Sequence, residues 1–425
     1  EEAGLAVMSI AAEIYPQNIG IIKPVIRRLL ESTDNDLLKS QASNLLLKSI
    51  KNYENEIEKQ ELASTKELNE EVPFQLRIIN SESDYEAGSI FDVNRDGKLD
   101  IYCGGFWYEA PNWKKHFVRD VPGDGGYYYD FAAVPQDVDN DGWTDIVNGS
   151  WHGKDVFWIR NPGASTKPFK VFNIDKPGNL ETLIGVDING DGQLDFLPNT
   201  VRSMVWYEFK QVQQSEQVGW IKHTLPAESA GHGVGAGDVN SDGKMDIITP
   251  KGWLEQTLPS DDAWIWHPEF QLPGASVPVL AHDVDKDGDS DIIVGNGHGY
   301  GVYWLEQQNN ATGQRTWKKH VIDDTWSQAH FLILADLNLD GQKELITGKR
   351  RYAHNGHDKG GEHPVCVYYY RYHQTESTWT RHVIHEGGQV GFGIYTDAKD
   401  FDNDGDIDVL CPGKSGLFLM ENLLK

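Results

Sequence analysis

From residue 74 onward, short apolar runs recur between acidic turns. HGVGAG (232–237) and HFLILA (330–335) each lead into such a turn, and DIIVG (291–295) leaves one. GVYWLEQ (301–307) then follows, and WKKHVID (317–323) ends the unit. Runs of this length, rich in β-branched and aromatic residues, predict four strands per unit. The last run of the unit returns as WKKHFV (113–118), FKVFNI (169–174), WIKHTL (220–225), WIWHPE (264–269), WKKHVI (317–322) and WTRHVI (379–384). These six follow an acidic turn, whereas the seventh unit stops after its third strand at Lys425. FQLRII (74–79) precedes the first turn and is predicted to supply the missing outer strand. The prediction is an all-β ring of seven four-stranded units over residues 73–425. An open array would leave both ends unpaired.

Residues 1–72 have another period. GLAVMSIAAEIY, IIKPVIRRLLES and NDLLKSQASNLLLKSIKNYE space their apolar residues as helices do, with Thr33, Asp34 or Asn35 as the cap of the third. This predicts a short α-helical, HEAT-like segment and a charged linker near 54–72. Its apolar faces call for a partner, either the ring or another domain.

The acidic turns read D-x-[DN]-x-D-G-x-x-[DE], and their starts lie 45 to 64 residues apart. Positions 1, 3, 5 and 9 are Asp92, Asn94, Asp96 and Asp100 in the first and Asp137, Asp139, Asp141 and Asp145 in the second. The third has Asp187, Asn189, Asp191 and Asp195, and the fourth Asp238, Asn240, Asp242 and Asp246. Asp283, Asp285, Asp287 and Asp291 form the fifth, Asp336, Asn338, Asp340 and Glu344 the sixth, and Asp400, Asp402, Asp404 and Asp408 the seventh. Oxygen ligands around a glycine bend suit calcium, which relieves the carboxylate repulsion. Metal-free Asx turns are the alternative. Up to seven structural calcium ions are expected, and with them an extracytoplasmic (periplasmic or secreted) setting.

The formal charge of -27 disfavours nucleic acid and anionic membranes as partners. No apolar run reaches the ~18–20 residues of a membrane span. Three cysteines, Cys103, Cys366 and Cys411, make no disulfide framework. The start at Glu1, with neither methionine nor secretory signal, reads as a mature or trimmed product.

Stepping back six residues from the first aspartate of each loop gives Glu86, Phe131, Glu181, His232, Val277, His330 and Ile394. Two acids and two histidines at one level can close on zinc or manganese, or the histidines can bond locally to backbone. His116, His223, His320 and His382 recur with the outer strand and read as structural. The rim on that side, away from the acidic loops, carries His152, Arg202, Lys251, His298, Tyr300 and Lys414. A long insertion, GKRRYAHNGHDKGGEHP (348–364), adds Lys349, Arg350, Arg351, His354, His357, Asp358 and His363. Another loop, PGDGGYYYDF (122–131), offers Tyr127, Tyr128 and Tyr129. A basic, His-rich mouth on an acidic body suits an anionic or polyhydroxyl ligand, with Tyr128, Trp151 and Trp326 as candidate stacking residues for a sugar. Serine-hydrolase elbow, HExxH, P-loop and dinucleotide motifs are all absent.

The D-x-D-x-D-G loops in aromatic, His-rich blades resemble the FG-GAP/VCBS-type repeats of seven-bladed β-propellers, a fold that serves adhesion, carbohydrate binding and catalysis alike. GHGVGAGDVNSDGKMDIITPKGW, NGHGYGVYWLEQ and SQAHFLILADLNLDGQKELITGKRRYAHNG are further similar to the propeller domain of the fungal aldos-2-ulose (1,5-anhydrofructose) dehydratases. That resemblance implies a carbon–oxygen lyase acting by metal-assisted β-elimination on a keto-sugar, and seven-bladed polysaccharide lyases, which do related eliminations beside a uronate, extend the expectation to a uronate. The cupin domains that follow the propeller in those enzymes are missing here, so no isomerase step is implied. In this reading His232, His298 and His330 hold the cation with Glu181 as a fourth ligand, and His152 is the base. Lys349, Arg350 and His354 bind substrate oxygens or protonate the leaving group, and Tyr128, Trp151, Arg202, Lys251, Tyr300, Trp326 and Lys414 bind the sugar. The rivals are a non-catalytic carbohydrate- or protein-binding propeller, and a scaffold assembled through the helical segment.

Overall fold

Seven antiparallel four-stranded sheets make up the ring, six of them from consecutive strands and the seventh from the last three strands and the first. The computed structural model describes residues 71–424 apart from 166, 211–218, 258–263 and 311–312, and earlier only Asn35, Leu37, Lys39 and Ser40. Its contacts separate residues 1–71 from 72–425. Leu37, Lys39 and Ser40 are helical, and Leu37 N–H donates to the Asn35 side chain at 3.0 Å. The rest of the expected helical segment lies outside the described residues.

Blade one runs from Gly88–Phe91 to Lys114–Phe117, and blade six from Ala329–Ala335 to Thr378–Glu386. Blade seven takes Ala398–Lys399, Asp408–Gly413 and Gly416–Asn422 from the C-terminus and Phe74–Asn80 from the start of the ring. Phe74 pairs with Asn422 and Ile78 with Phe418, so FQLRII closes the propeller. Second strands such as Asp145–Gly149, Asp291–Gly295 and Glu344–Lys349 are buried along their whole length. Neighbouring blades cover both faces, which is why these strands read as continuous apolar runs without alternation. One inter-blade core joins Ile346, Val367 and Tyr369 of blade six to Val409, Cys411 and Phe418 of blade seven. Each fully buried large aliphatic side chain there contributes roughly 1.5–3 kcal/mol.

The acidic loops join each inner strand to the second strand. Asp92 accepts from Asp96 N–H at 3.1 Å and Gly97 N–H at 2.9 Å, and the other first-position aspartates make the same pair of bonds. Gly97 has φ +86°, a conformation that a Cβ would strain. The ninth-position acid is buried and acts as a staple. Asp100 accepts from Val93 N–H at 3.1 Å and Ala110 N–H at 2.9 Å, which ties the loop to the end of the third strand. Asp145, Asp195, Asp246, Asp291 and Asp408 repeat this, while Glu344 bonds Leu337 N–H and the Arg371 guanidinium. A structural duty thus falls on a position that the sequence reading gave only to a cation.

Candidate functional site

The inner-strand register brings Glu181, His232 and His330 together. Glu181, in the inner strand Leu180–Val186 of blade three, is buried at the centre. Its Oε2 contacts His232 Nε2 and lies 3.7 Å from His298 Nε2, and its Oε1 is 3.5 Å from His330 Nε2. His232 and His298 bring their Nε2 atoms to 3.0 Å of each other. Every imidazole is anchored through its other nitrogen. His232 Nδ1 meets the Ala275 carbonyl at 2.9 Å, His330 Nδ1 the Gln328 carbonyl at 3.3 Å, and His298 Nδ1 the Asp358 carboxylate at 3.2 Å. An Nδ1–H that donates to an oxygen leaves Nε2 as a lone pair. Three Nε2 atoms thus converge on one carboxylate, and His330 Nε2 is buried without a hydrogen-bond partner.

One guanidinium balances this negative centre. Arg350 is 2% exposed and donates to Glu181 at 2.7 Å and to Glu86 at 2.8 and 3.2 Å. Burial alone would raise the Glu181 pKa, but the three histidines outweigh it and hold the carboxyl well below its ordinary range. Glu86 is lowered likewise, its burial offset by Arg350. Burial, reinforced by Arg350, pushes His330 down to about 4, so its ring is neutral. For His298 burial works downward, and Glu181 and Asp358 more than reverse it.

Above this centre lies a cavity of about 370 Å³ lined by Tyr127, Phe131, Trp151, His152, Glu181, Arg350 and His354, with Gly125 and Asn355. Two irregular loops roof it. Tyr127, in the hairpin of Gly123–Asp124 and Tyr127–Tyr128, donates its hydroxyl to the Tyr352 carbonyl at 3.1 Å and accepts from Asn355 N–H at 3.0 Å. The blade-six insertion then stacks His354 on His298, with centroids 4.4 Å apart and planes 2° apart.

Several expected assignments do not hold in this geometry. Lys349 is buried and turned from the cavity, donating to Ser327 Oγ at 2.9 Å, the Gly360 carbonyl at 2.8 Å and Gln328 Oε1. Burial lowers its pKa to about 8. Arg350 lines the cavity, but its bonds are committed to two carboxylates, so it is no ready proton donor. Trp326 is a core residue, 7% exposed, with Nε1 on the Tyr370 hydroxyl at 2.7 Å. Tyr128 packs on Tyr85 at 4.6 Å and, with Lys414, lines a neighbouring cavity. Lys414 stands 3.3 Å over the Tyr127 ring. Arg202, Lys251 and Tyr300 are not among the cavity-lining residues; Lys251 donates to the Glu228 carbonyl at 3.1 Å, and the Tyr300 hydroxyl is 3.4 Å from His363. Tyr127, Phe131, Glu86 and Asp358 take roles the sequence reading left unassigned. Glu86 was visible only as a register position, because its partner is 264 residues away.

Two kinds of cation site fit these residues chemically. Glu181, His232 and His298 gather ligand atoms within 4.8 Å of one another, a nitrogen-rich set suited to zinc or manganese. Asp137, Asp139 and Asp145 do the same with oxygen alone, as do Asp283, Asp285 and Asp287, and Asp400, Asp402 and Asp404, which suits calcium. In blade two Arg160 also reaches Asp139, at 2.6 Å.

The FG-GAP-like repeat family model matches residues 137–197 and 283–347. No curated protein matches the sequence. Among solved structures, an Agrocybe aegerita lectin described as recognising non-reducing terminal N-acetylglucosamine is similar at 14% identity and a TM-score of 0.44, over 83% of this chain and 86% of that one. A likeness that weak carries no argument about ligands. The chain carries FG-GAP-like repeats in a seven-bladed β-propeller.

Proposed function

We propose that the channel is a carbohydrate site built on a divalent transition metal, and that the protein is a carbon–oxygen lyase acting on a keto-sugar or uronate. The observation that carries this is the convergence of the Nε2 atoms of His232, His298 and His330 on Glu181, each ring fixed through Nδ1. A cation held there would polarise a sugar carbonyl or carboxylate and make the neighbouring C–H more acidic. His152 lines the same cavity as Glu181 and is the base that takes that proton. His354, with 57% of its side chain exposed, is the remaining group able to protonate the departing oxygen. Carbon loses a proton to His152 and the C–O bond breaks as the C=C bond forms; the departing oxygen takes a proton from His354 and leaves as water from a keto-sugar or as the hydroxyl of the cleaved sugar from a uronate glycan. Tyr127, Phe131 and Trp151 supply apolar walls for the ring. The acidic loops hold calcium in a structural role, and an extracytoplasmic setting goes with that.

A binding-only propeller is the second reading. It is favoured by the commitment of Lys349 and Arg350 to internal partners, which removes two of the groups expected to assist a leaving group. Metal-loaded protein incubated with keto-sugars and uronate glycans separates the two. Ultraviolet absorbance of a conjugated enone or unsaturated uronate, lost in His152→Ala with the metal retained, supports the lyase. Saturable sugar binding with no such product would replace it with the binding reading.

A further inference from the structure

We propose that Asp358 is the positioning residue of the channel site, fixing the tautomer and ring orientation of His298 and so making cation affinity depend on the seating of the blade-six insertion. This rests on the cation reading given above. Of the three imidazoles, His232 and His330 are anchored by backbone carbonyls, that of Ala275 43 residues on and that of Gln328 two residues before. His298 is anchored by a side chain from another blade, 60 residues on. Asp358 Oδ2 accepts from His298 Nδ1 at 3.2 Å, and Oδ1 accepts from His354 Nδ1 at 3.1 Å. The carboxylate thus aligns two stacked rings at once, and its side chain is 13% exposed.

Without Asp358, His298 has no acceptor holding the proton on Nδ1. Its ring can then carry the proton on Nε2, the atom that faces Glu181 and His232, and so cease to be a ligand. The loop that brings Asp358 is itself held at two points. The Tyr127 hydroxyl binds Tyr352 and Asn355, and Lys349 Nζ donates to the Gly360 carbonyl at 2.8 Å, two residues beyond Asp358. Tyr352, His354 and Asn355 have φ of +61°, +46° and +55°, so this conformation persists only while such contacts over-determine it. A carboxylate behind a ligating histidine commonly sets affinity by about tenfold to hundredfold.

The test is zinc titration by calorimetry on the full chain, with nitrogen-15 NMR of the histidine rings as a second readout. Asp358→Ala is expected to weaken zinc binding by about tenfold to hundredfold. His298 should shift from the Nδ1–H form to a mixture of tautomers. Asp358→Asn keeps a carbonyl acceptor and should recover most of the affinity and the parent tautomer. Parent-like zinc affinity in Asp358→Ala, with His298→Ala strongly impaired, would overturn the positioning role and leave the cation site standing. An unchanged His298 tautomer in Asp358→Ala would overturn it as well, and should that variant fold poorly, failure of Asp358→Asn to recover zinc affinity and the parent tautomer would do so. Parent-like zinc binding in His298→Ala would instead remove the cation reading beneath it.

Discussion

Histidine appears in this propeller in two settings. On the outer strands, His116, His223, His267 and His320 stack on Trp107, Trp206, Trp253 and Trp304 at centroid distances of 4.0 to 4.5 Å. Each gives Nε2 to a glutamate two residues after that tryptophan, Glu109, Glu208, Glu255 or Glu306, at 2.6 to 2.9 Å. In the channel the polarity is reversed. Nδ1 is the anchored nitrogen, and the Nε2 atoms of His232, His298 and His330 gather around a single buried carboxylate. The outer rings each have a private acid and a private aromatic, so they close a blade and ask for nothing more. The channel rings share one acid that also binds a guanidinium, and His330 Nε2 is left without a hydrogen-bond partner. A histidine signals function when several point at the same place from different blades.

The largest effect should come from the charge that holds the channel together. Arg350→Met would leave Glu86 and Glu181 buried without their guanidinium and should cost roughly 3–5 kcal/mol in chemical denaturation. A loss below about 1 kcal/mol would show that these carboxylates do not depend on Arg350. Next, His232→Ala should weaken zinc binding by more than about a hundredfold, beyond what changes behind a ligand cost, with little shift in Tm. Retained zinc would make the channel rings merely structural, as the outer ones are.

Blade six sharpens the contrast within the outer set. There Tyr369 replaces the tryptophan and Arg371 the glutamate, so His382 stacks at 4.6 Å with no acid partner and its Nε2 unbonded. Burial, aided by Arg371 and His373, lowers its pKa from 6.5 to about 4. Between these values the unfolded chain takes up a proton that the folded chain refuses. The His382 contribution is therefore intact above pH ~6.5 and lost as pH falls toward ~4, by at most about 3 kcal/mol. His382→Gln should flatten the stability profile in that window, and an unaltered slope would deny the shift. The smallest effect is expected for His320→Ala, a cost of about 1–2 kcal/mol from the lost stack and hydrogen bond, with zinc affinity unchanged.

What the sequence could reveal follows from periodicity. The loops repeat, so counting back from each first aspartate put Glu181, His232 and His330 at one level, and the missing outer strand of the last unit pointed to FQLRII. Non-repeating contacts left no such trace. Arg350 reaches Glu86 and Glu181 across 264 and 169 residues, and its neighbour Lys349, the last residue of the second strand, turns the other way. Trp326 looked like a rim aromatic because it follows an outer strand, yet that strand extends over Arg315–Ser327 and carries the indole into the core. Asp358 sits in an irregular loop whose path no local pattern fixes.

The most direct test is anomalous diffraction at the zinc absorption edge from crystals grown with zinc and calcium together. The expected map has a zinc peak among Glu181 Oε2, His232 Nε2 and His298 Nε2, with His330 alongside and the acidic loops silent at that edge. No zinc peak at Glu181, with the same four side chains in hydrogen bonds to one another or to water, would contradict the cation site on which the proposed chemistry depends.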